Sequence, residues 1–320
     1  MFLRCKPTSK RLNMIEFLKN ILRPIKNILF TLVFSIYDLY RFSKYSGMLK
    51  RDPVQRDFRL IKIYHTLEKS LSFRKQKKGA GKSVENLLRG YLGPNIENMS
   101  FSEKVAEDVL IEFKNKENIN SKIEGVDSLG GVILYSVALM RKGVLEHPED
   151  FFLSRYSIRE FDGSKVGRDK IMRAIELASK TPSSCNRQPW FTYHLDDRAL
   201  IRKVLSIQGG ANGFGETISN LVVISVDQRA YDTAVERYQG WIDGGMYGMS
   251  FIYACHSLGL GTCCLNWAKN TSDEKSLRSL LPINKEHSVL MMVGIGLPCS
   301  EFKVCRSKRT PVSEKYRHIQ

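Results

Sequence analysis

The chain has 320 residues, of which 42% are hydrophobic and 26% charged, and 50 Lys and Arg against 33 Asp and Glu give a net charge of +17. This is globular composition over the length of one large or two ordinary domains, which excludes a disordered chain or a coiled coil. The charge excess is concentrated, because residues 1–100 hold 21 basic and 7 acidic side chains. No zinc-finger, RNA-recognition or helix-turn-helix signature accompanies it, so nucleic acid is not an expected partner, and the charge is assigned to phosphates, anionic lipid or solubility.

Residues 1–50 alternate basic and apolar groups at helical spacing, as in Ile15 to Arg23. Such a helix either packs on its own protein or makes peripheral contact with an anionic membrane surface, where basic charge and apolar groups add. The longest apolar stretch, Ile28 to Tyr37, is half of the roughly 20 residues a spanning helix needs, so crossing a bilayer is not expected. The pattern predicts a helix over 51–78, a loop over Lys75–Ser83, helices over 84–92 and 101–118, a linker over 119–130 and a further helix from Val132 to Lys142. Residues 1–145 therefore read as a basic, all-helical extension.

Residues 146–320 differ. A helix is expected over 169–180, with Ile171, Ile175 and Ala178 on one face. Short apolar runs at Trp190–Leu195, Leu221–Val226 and Ser288–Gly294 are strand candidates bounded by turn residues. Between the last two, Trp241 to Leu258 reads as a Gly- and Met-rich helix ending at Gly259-Leu260-Gly261. Helices alternating with strands predict an α+β fold, an α/β sandwich with helices flanking a sheet.

Two familiar patterns fail. Gly79-Ala80-Gly81-Lys82-Ser83 resembles the tail of a phosphate-binding loop, but the glycine required five positions before Gly81 is Gln76, and a basic helix precedes it. His65 with Glu68 lacks the second His of a zinc-protease helix, so a solvated helix face is the expectation. The seven cysteines, Cys5, Cys185, Cys255, Cys263, Cys264, Cys299 and Cys305, form neither a disulfide framework nor paired zinc spacing, and read as reduced thiols of a cytoplasmic protein. Cys263 and Cys264 are assigned to packing in a buried strand.

The chemistry concentrates in Arg155-Tyr156-Ser157-Ile158-Arg159-Glu160-Phe161 and in Thr181 to Trp190. Arginines beside a hydroxyl offer a dianionic phosphate both charge and a donor. The Pro-Ser-Ser-x-Asn segment puts small polar groups and exposed amides at a helix-to-strand junction, suited to the edge of a flat heterocycle. In this order the two clusters resemble the opening signatures of the nitroreductase family of FMN-dependent oxidoreductases, R-x-S-x-R and P-S-x-x-N-x-Q-P-W. The likeness continues through the Gly-rich helix, Gly259 to Leu265, Val293 to Pro298, and the basic tail around Arg306 to Pro311.

The resemblance implies a nitroreductase-like, antiparallel-rich sandwich and a homodimer with FMN at the subunit interface. It assigns Arg155 and Ser157 to the FMN phosphate and ribityl chain, and Arg159 to flavin N1 and O2. Pro182, Ser183, Ser184, Asn186 and Gln188 match the segment that reaches the partner's flavin. Leu265 and Asn266 fall where backbone approaches N5, and Arg309 where a C-terminal cation closes on the phosphate. A middle contact falls to Gln208, Gly209, Gly210 or Asn212. NADH or NADPH is the implied reductant and a small molecule the acceptor, with no protein nucleophile required.

Family members typically begin near the first motif, whereas here about 150 residues precede it. Within them, Tyr64 to Phe73 resembles the N-terminal region of long nitroreductase-like proteins encoded among bacterial surface-polysaccharide genes, which would move the acceptor from nitroaromatics and quinones toward glycan metabolism. Two alternatives stand beside the oxidoreductase reading. One is a non-catalytic flavin-binding accessory protein docked on a membrane-associated polysaccharide assembly, which would retain flavin that no nicotinamide reduces. The other is a related chemistry, reductive dehalogenation or flavin fragmentation, marked in the latter case by consumption of the flavin.

Overall fold

A computed structural model describes residues 9–49, 52–73, 79–92, 99–115 and 128–320. The N-terminal part is helical. Helix α1 runs Ser9–Tyr45 and α2 Pro53–Ser72, the latter capped by Asp52, whose carboxylate accepts the Gln55 amide at 2.9 Å. Helix α3, Lys82–Tyr91, follows a turn in which Gly81 has φ 84°, and α4, Phe101–Lys114, opens on a capping box between Ser100 and Glu103. The last three helices bury a core of their own, with Leu60, Leu67, Leu88, Val109 and Phe113 inside.

Several boundaries differ from expectation, among them the ends of α2 at Ser72 and of α4 at Lys114, short of the expected 78 and 118. The helix after the glycine turn begins at Lys82, inside the expected loop, and residues 74–78 of that loop lie outside the described residues. Most of the expected 119–130 linker also lies outside them. The helix expected from Val132 to Lys142 shrinks to α5, Val137–Arg141. Its start is fixed by chemistry, since the Val132 amide is held by the Glu112 carboxylate at 3.2 Å and the Ser136 hydroxyl accepts the Leu139 amide at 3.2 Å.

Helix α6 spans Pro148–Ser154 and α7 Arg168–Ala178. Strand β1 is Trp190–Leu195, and after α8, Arg198–Gln208, comes β2, Asn220–Asp227. Helix α9, Gln239–Ser257, leads to β3, Gly261–Asn266, and α10, Thr271–Leu280, to β4, His287–Gly296. The four strands form one antiparallel sheet in the order β1-β2-β4-β3.

Strand alternation explains the layers. On β2, Leu221 and Val223 face a core closed by Ile201 and Val204 of α8 and Leu277 of α10, while Val222 and Ile224 face Ile171 of α7 and Tyr247 and Phe251 of α9. The glycines of α9 let it ride close to the sheet, since a Cβ at Gly244 would meet the Leu290 side chain and stand 2.8 Å from Val226 Cγ1.

Candidate functional site

The segment 155–161 is fastened along the outer edge of β3. Ser157 bridges Thr262 in parallel, and the Ile158 amide donates to the Thr262 carbonyl at 2.9 Å. Ile158 and Phe161 are buried, the latter over the glycines that end β4 and begin β3, where a Cβ on Gly296 would lie 2.7 Å from the Phe161 ring. Around these apolar anchors Arg155 and Ser157 are half-buried and Arg159 is exposed. Arg159 meets Cys305 Sγ at 3.7 Å, which brings the C-terminal tail, with Arg306, Lys308 and Arg309 all exposed, to the same corner. Among the described residues, Arg155, Arg159, Arg306 and Arg309 make no ion pair with a carboxylate. A hydroxyl among unpaired guanidinium groups is the donor set for a phosphate.

Strand β3 ends at the same edge. Leu265 is buried in the core and Asn266 exposed. Cys264 is exposed and Cys263 buried, so the expectation that both serve packing holds only for Cys263; the outer side of an edge strand alternates out to solvent. The six described cysteines are all free thiols. Gln208, buried at the end of α8, donates through Nε2 to the Asn266 carbonyl at 2.9 Å and accepts the Gly210 amide at 2.6 Å. Of the four middle candidates, Gln208 is therefore occupied in holding backbone, whereas Gly209, Gly210 and Asn212 are exposed beside it. His65, expected on a solvated face, is instead half-buried, with Nδ1 3.1 Å from Glu68.

The second cluster lies elsewhere. Residues 183–189 lead into β1, the far edge of the sheet, and Trp190 pairs with Val226 at one end of β2. Thr262 pairs with Ile295, which pairs with Asn220 at the other end. The two motifs thus occupy diagonally opposite corners, on the order of 20 Å apart from strand spacing and rise. One chain does not bring them together.

The loop at the second corner is stapled from within. Ser183 Oγ accepts the Gln188 amide at 2.9 Å, and Gln188 Nε2 donates to Asn186 Oδ1 at 3.2 Å. Cys185, Asn186 and Gln188 have φ of 53°, 53° and 50°, a left-handed conformation that costs a non-glycine residue about 1 kcal/mol. Pro182 and Gln188 are exposed, and Ser183, Ser184 and Asn186 half-buried.

Sequence reasoning passed over the residue that holds this loop. Arg187, a spacer in the motif, is 1% exposed. It donates to the Ser184 carbonyl at 3.0 Å, Ser184 Oγ at 2.9 Å, the Ala230 carbonyl at 2.7 Å and Glu236 at 2.7 Å, with its guanidinium over the Tyr231 ring. Burial alone would raise the Glu236 carboxyl, but Arg187, the Asp232 amide and Lys62 hold it well below the usual range. Buried Asp243, equally unforeseen, accepts the Ser184 amide, Gln239 Nε2 and the Tyr231 hydroxyl. Its position on a Gly-rich apolar helix was the available signal, because a buried carboxylate must find donors. A cavity of about 460 Å³ is lined by Asp52, Arg56, Arg59 and Tyr91 of the N-terminal helical region.

Residues 153–212 and 207–297 match the sequence model of the Nitroreductase family. The chain is 26% identical over 152 residues to a provisionally named NADH dehydrogenase/NAD(P)H nitroreductase of Archaeoglobus fulgidus, covering 46% of this chain and 83% of that protein. A protein with the same provisional name from Methanothermobacter thermautotrophicus is 22% identical over 147 residues, 45% of this chain and 74% of its own. Among solved structures, the provisionally named nitroreductase ydfN of Bacillus subtilis superposes with a TM-score of 0.48 at 18% identity, over 54% of this chain and 99% of that one. The family model puts the domain in the oxidoreductase class. Through residues 153–297 the chain belongs to the nitroreductase family.

Proposed function

We propose that the protein is an FMN-dependent NAD(P)H oxidoreductase working as a homodimer, with residues 146–320 as the flavin domain and 1–145 as an extension. The observation that carries this reading is the unpaired cationic corner of Arg155, Ser157 and Arg159, fastened to the edge strand of a nitroreductase-family sheet. Arg155, Ser157 and Arg309 would hold the FMN phosphate, their charge and hydroxyl matching a dianion. When bound, FMN supplies two-electron chemistry, taking hydride from NADH or NADPH and returning electrons to a second small molecule in ping-pong order. Arg159 contributes fixed positive charge where the resemblance puts flavin N1 and O2, the part of the ring that gains negative charge on reduction. Leu265 and Asn266 offer backbone at the edge beside it. Diagonal separation of the two corners supports a site completed by a second copy, whose Pro182, Ser183, Ser184, Asn186 and Gln188 would face the flavin held by the first.

Anaerobic titration of the yellow, FMN-loaded protein with NADH and NADPH tests the reading, and bleaching of the flavin band is the expected result. Reoxidation with a nitroaromatic, a quinone or an unsaturated sugar nucleotide then sorts the acceptor classes. Flavin that is retained but reduced by neither nicotinamide would favour the accessory reading, and a protein that cannot be reconstituted with FMN would refute both.

A peripheral membrane role for α1 is supported by one observation. Ile28, Leu32 and Ile36 are exposed, as are Lys19, Arg23 and Lys26 on the same helix. No helix among the described residues is long and apolar enough to cross a membrane. Sedimentation with anionic but not with neutral vesicles is expected, and failure with both removes this role.

A further inference from the structure

Helix α2 of the N-terminal region lies directly against residues 184–186. Lys62 on that helix places Nζ 2.8 Å from Asp232 Oδ1 and 3.9 Å from Glu236 Oε1. Arg59, one turn earlier, adds its charge 3.7 Å from Asp232 Oδ2. The two acids are themselves joined, since the Asp232 amide donates to Glu236 Oε2 at 3.1 Å. Glu236 then meets Arg187 at 2.7 Å, and Arg187 grips both the carbonyl and the hydroxyl of Ser184. An unbroken run of charged and hydrogen-bonded groups therefore leads from α2 to the strained loop.

We propose that Lys62, acting through Asp232, Glu236 and Arg187, is a positioning residue for the Ser183–Gln188 loop, so that the helical N-terminal region sets how this loop meets the cofactor. The inference rests on the reading of that loop as flavin-facing. Its physical basis is charge balance. Asp232 and Glu236 are adjacent carboxylates; Arg187, with a longer contact from Lys62, balances Glu236, while Lys62 and Arg59 balance Asp232. With Lys62 gone, both acids compete for Arg187, whose remaining bonds hold the loop. Three left-handed residues persist only where their surroundings over-determine them, so a displaced Arg187 frees the loop to relax.

The loop carries its own reporter, the half-buried Cys185 thiol. In the full chain, with and without FMN, the alkylation rate at Cys185 is read by mass spectrometry beside FMN affinity and the visible circular dichroism of the bound flavin. Lys62→Met should raise the alkylation rate and weaken FMN binding, each by about two- to fivefold, the range open to such an ion pair. It should also alter the flavin dichroism, while Lys62→Arg restores all three. Glu236→Gln, which keeps the shape but not the charge, serves as the second variant should Lys62→Met fail to fold. Arg56→Met, which breaks an ion pair to Glu103 within the N-terminal helices, controls for general loosening and should leave Cys185 unchanged. Wild-type alkylation and flavin signals in folded Lys62→Met and Glu236→Gln would overturn the proposal. Faster alkylation with unchanged FMN binding would keep the relay and overturn the flavin-facing reading of the loop.

Discussion

The side-chain amide of Gln208 donates to the backbone carbonyl of Asn266 at 2.9 Å, tying the last residue of α8 to the last residue of β3. Its oxygen is equally engaged, by the Gly210 amide. Replacing Gln208 with Leu preserves bulk and removes two part-buried hydrogen bonds, a loss of about 0.5–1.5 kcal/mol for each. Denaturant unfolding should show that drop, together with weaker FMN binding because the β3 terminus is no longer held. Unchanged stability would mean that water replaces the amide.

The cationic corner divides into two tests. Arg155→Ala removes a charge-assisted contact to the phosphate, a loss of about 1.5–3 kcal/mol, or ten- to over a hundredfold in FMN affinity by fluorescence titration. Arg159→Ala should act on reduction instead, shifting the two-electron midpoint potential of the bound flavin about 30 mV more negative for each tenfold loss of preference for the reduced form. A potential equal to the wild type would remove Arg159 from its assigned position.

Asp227 gives stability a pH dependence. Burial would raise its carboxyl, but contacts with His287 and a two-pronged bond to Arg229 hold it down at about 2. Against an unfolded value of about 3.9, a depressed carboxyl contributes stability above that value and loses it as pH falls toward 2. The contribution is about 2.5 kcal/mol at neutral pH, with about half gone by pH 3. Unfolding curves at pH 6 and pH 3 should therefore diverge more for the wild type than for Asp227→Asn.

Two glycines of α9 separate space from propensity. A methyl at Gly244 runs into Leu290 and Val226, and Gly244→Ala should cost about 1–3 kcal/mol. At Gly245 a Cβ meets nothing within 4 Å, and Gly245→Ala should be neutral or stabilise by up to about 1 kcal/mol. Melting temperatures of the pair decide whether close approach of α9 to the sheet is the reason for its glycines.

Much of the sheet was legible. Strand β1 matches its apolar run residue for residue, and β2 and β4 extend theirs by one to two residues at either end. Helices α8 and α10 were not read. Helix α10 buries only Leu277, so its apolar stripe carries almost no periodic signal, and its real mark is the Asn270–Asp273 capping box. Helix α8 was signalled by a stripe of Ile201, Val204, Leu205 and Gln208 behind the Asp197 cap. The phosphate corner could be read because its residue types are unusual together. The hold on the other loop could not, since Arg187 and Asp243 act only through partners brought from Ala230, Tyr231 and Glu236 by the fold.

The diagonal placement of the two corners also bears on genetics. In a homodimer each chain donates a phosphate corner to one site and a loop to the other. A chain broken at Arg155 and a chain broken at its loop are each inactive alone, yet a mixed pair assembles one site from two sound halves and one from two damaged halves. Random pairing of equal amounts makes half of the dimers mixed, so co-expression of two dead alleles should recover about a quarter of the sites, a signature of complementation that a self-contained site would never give.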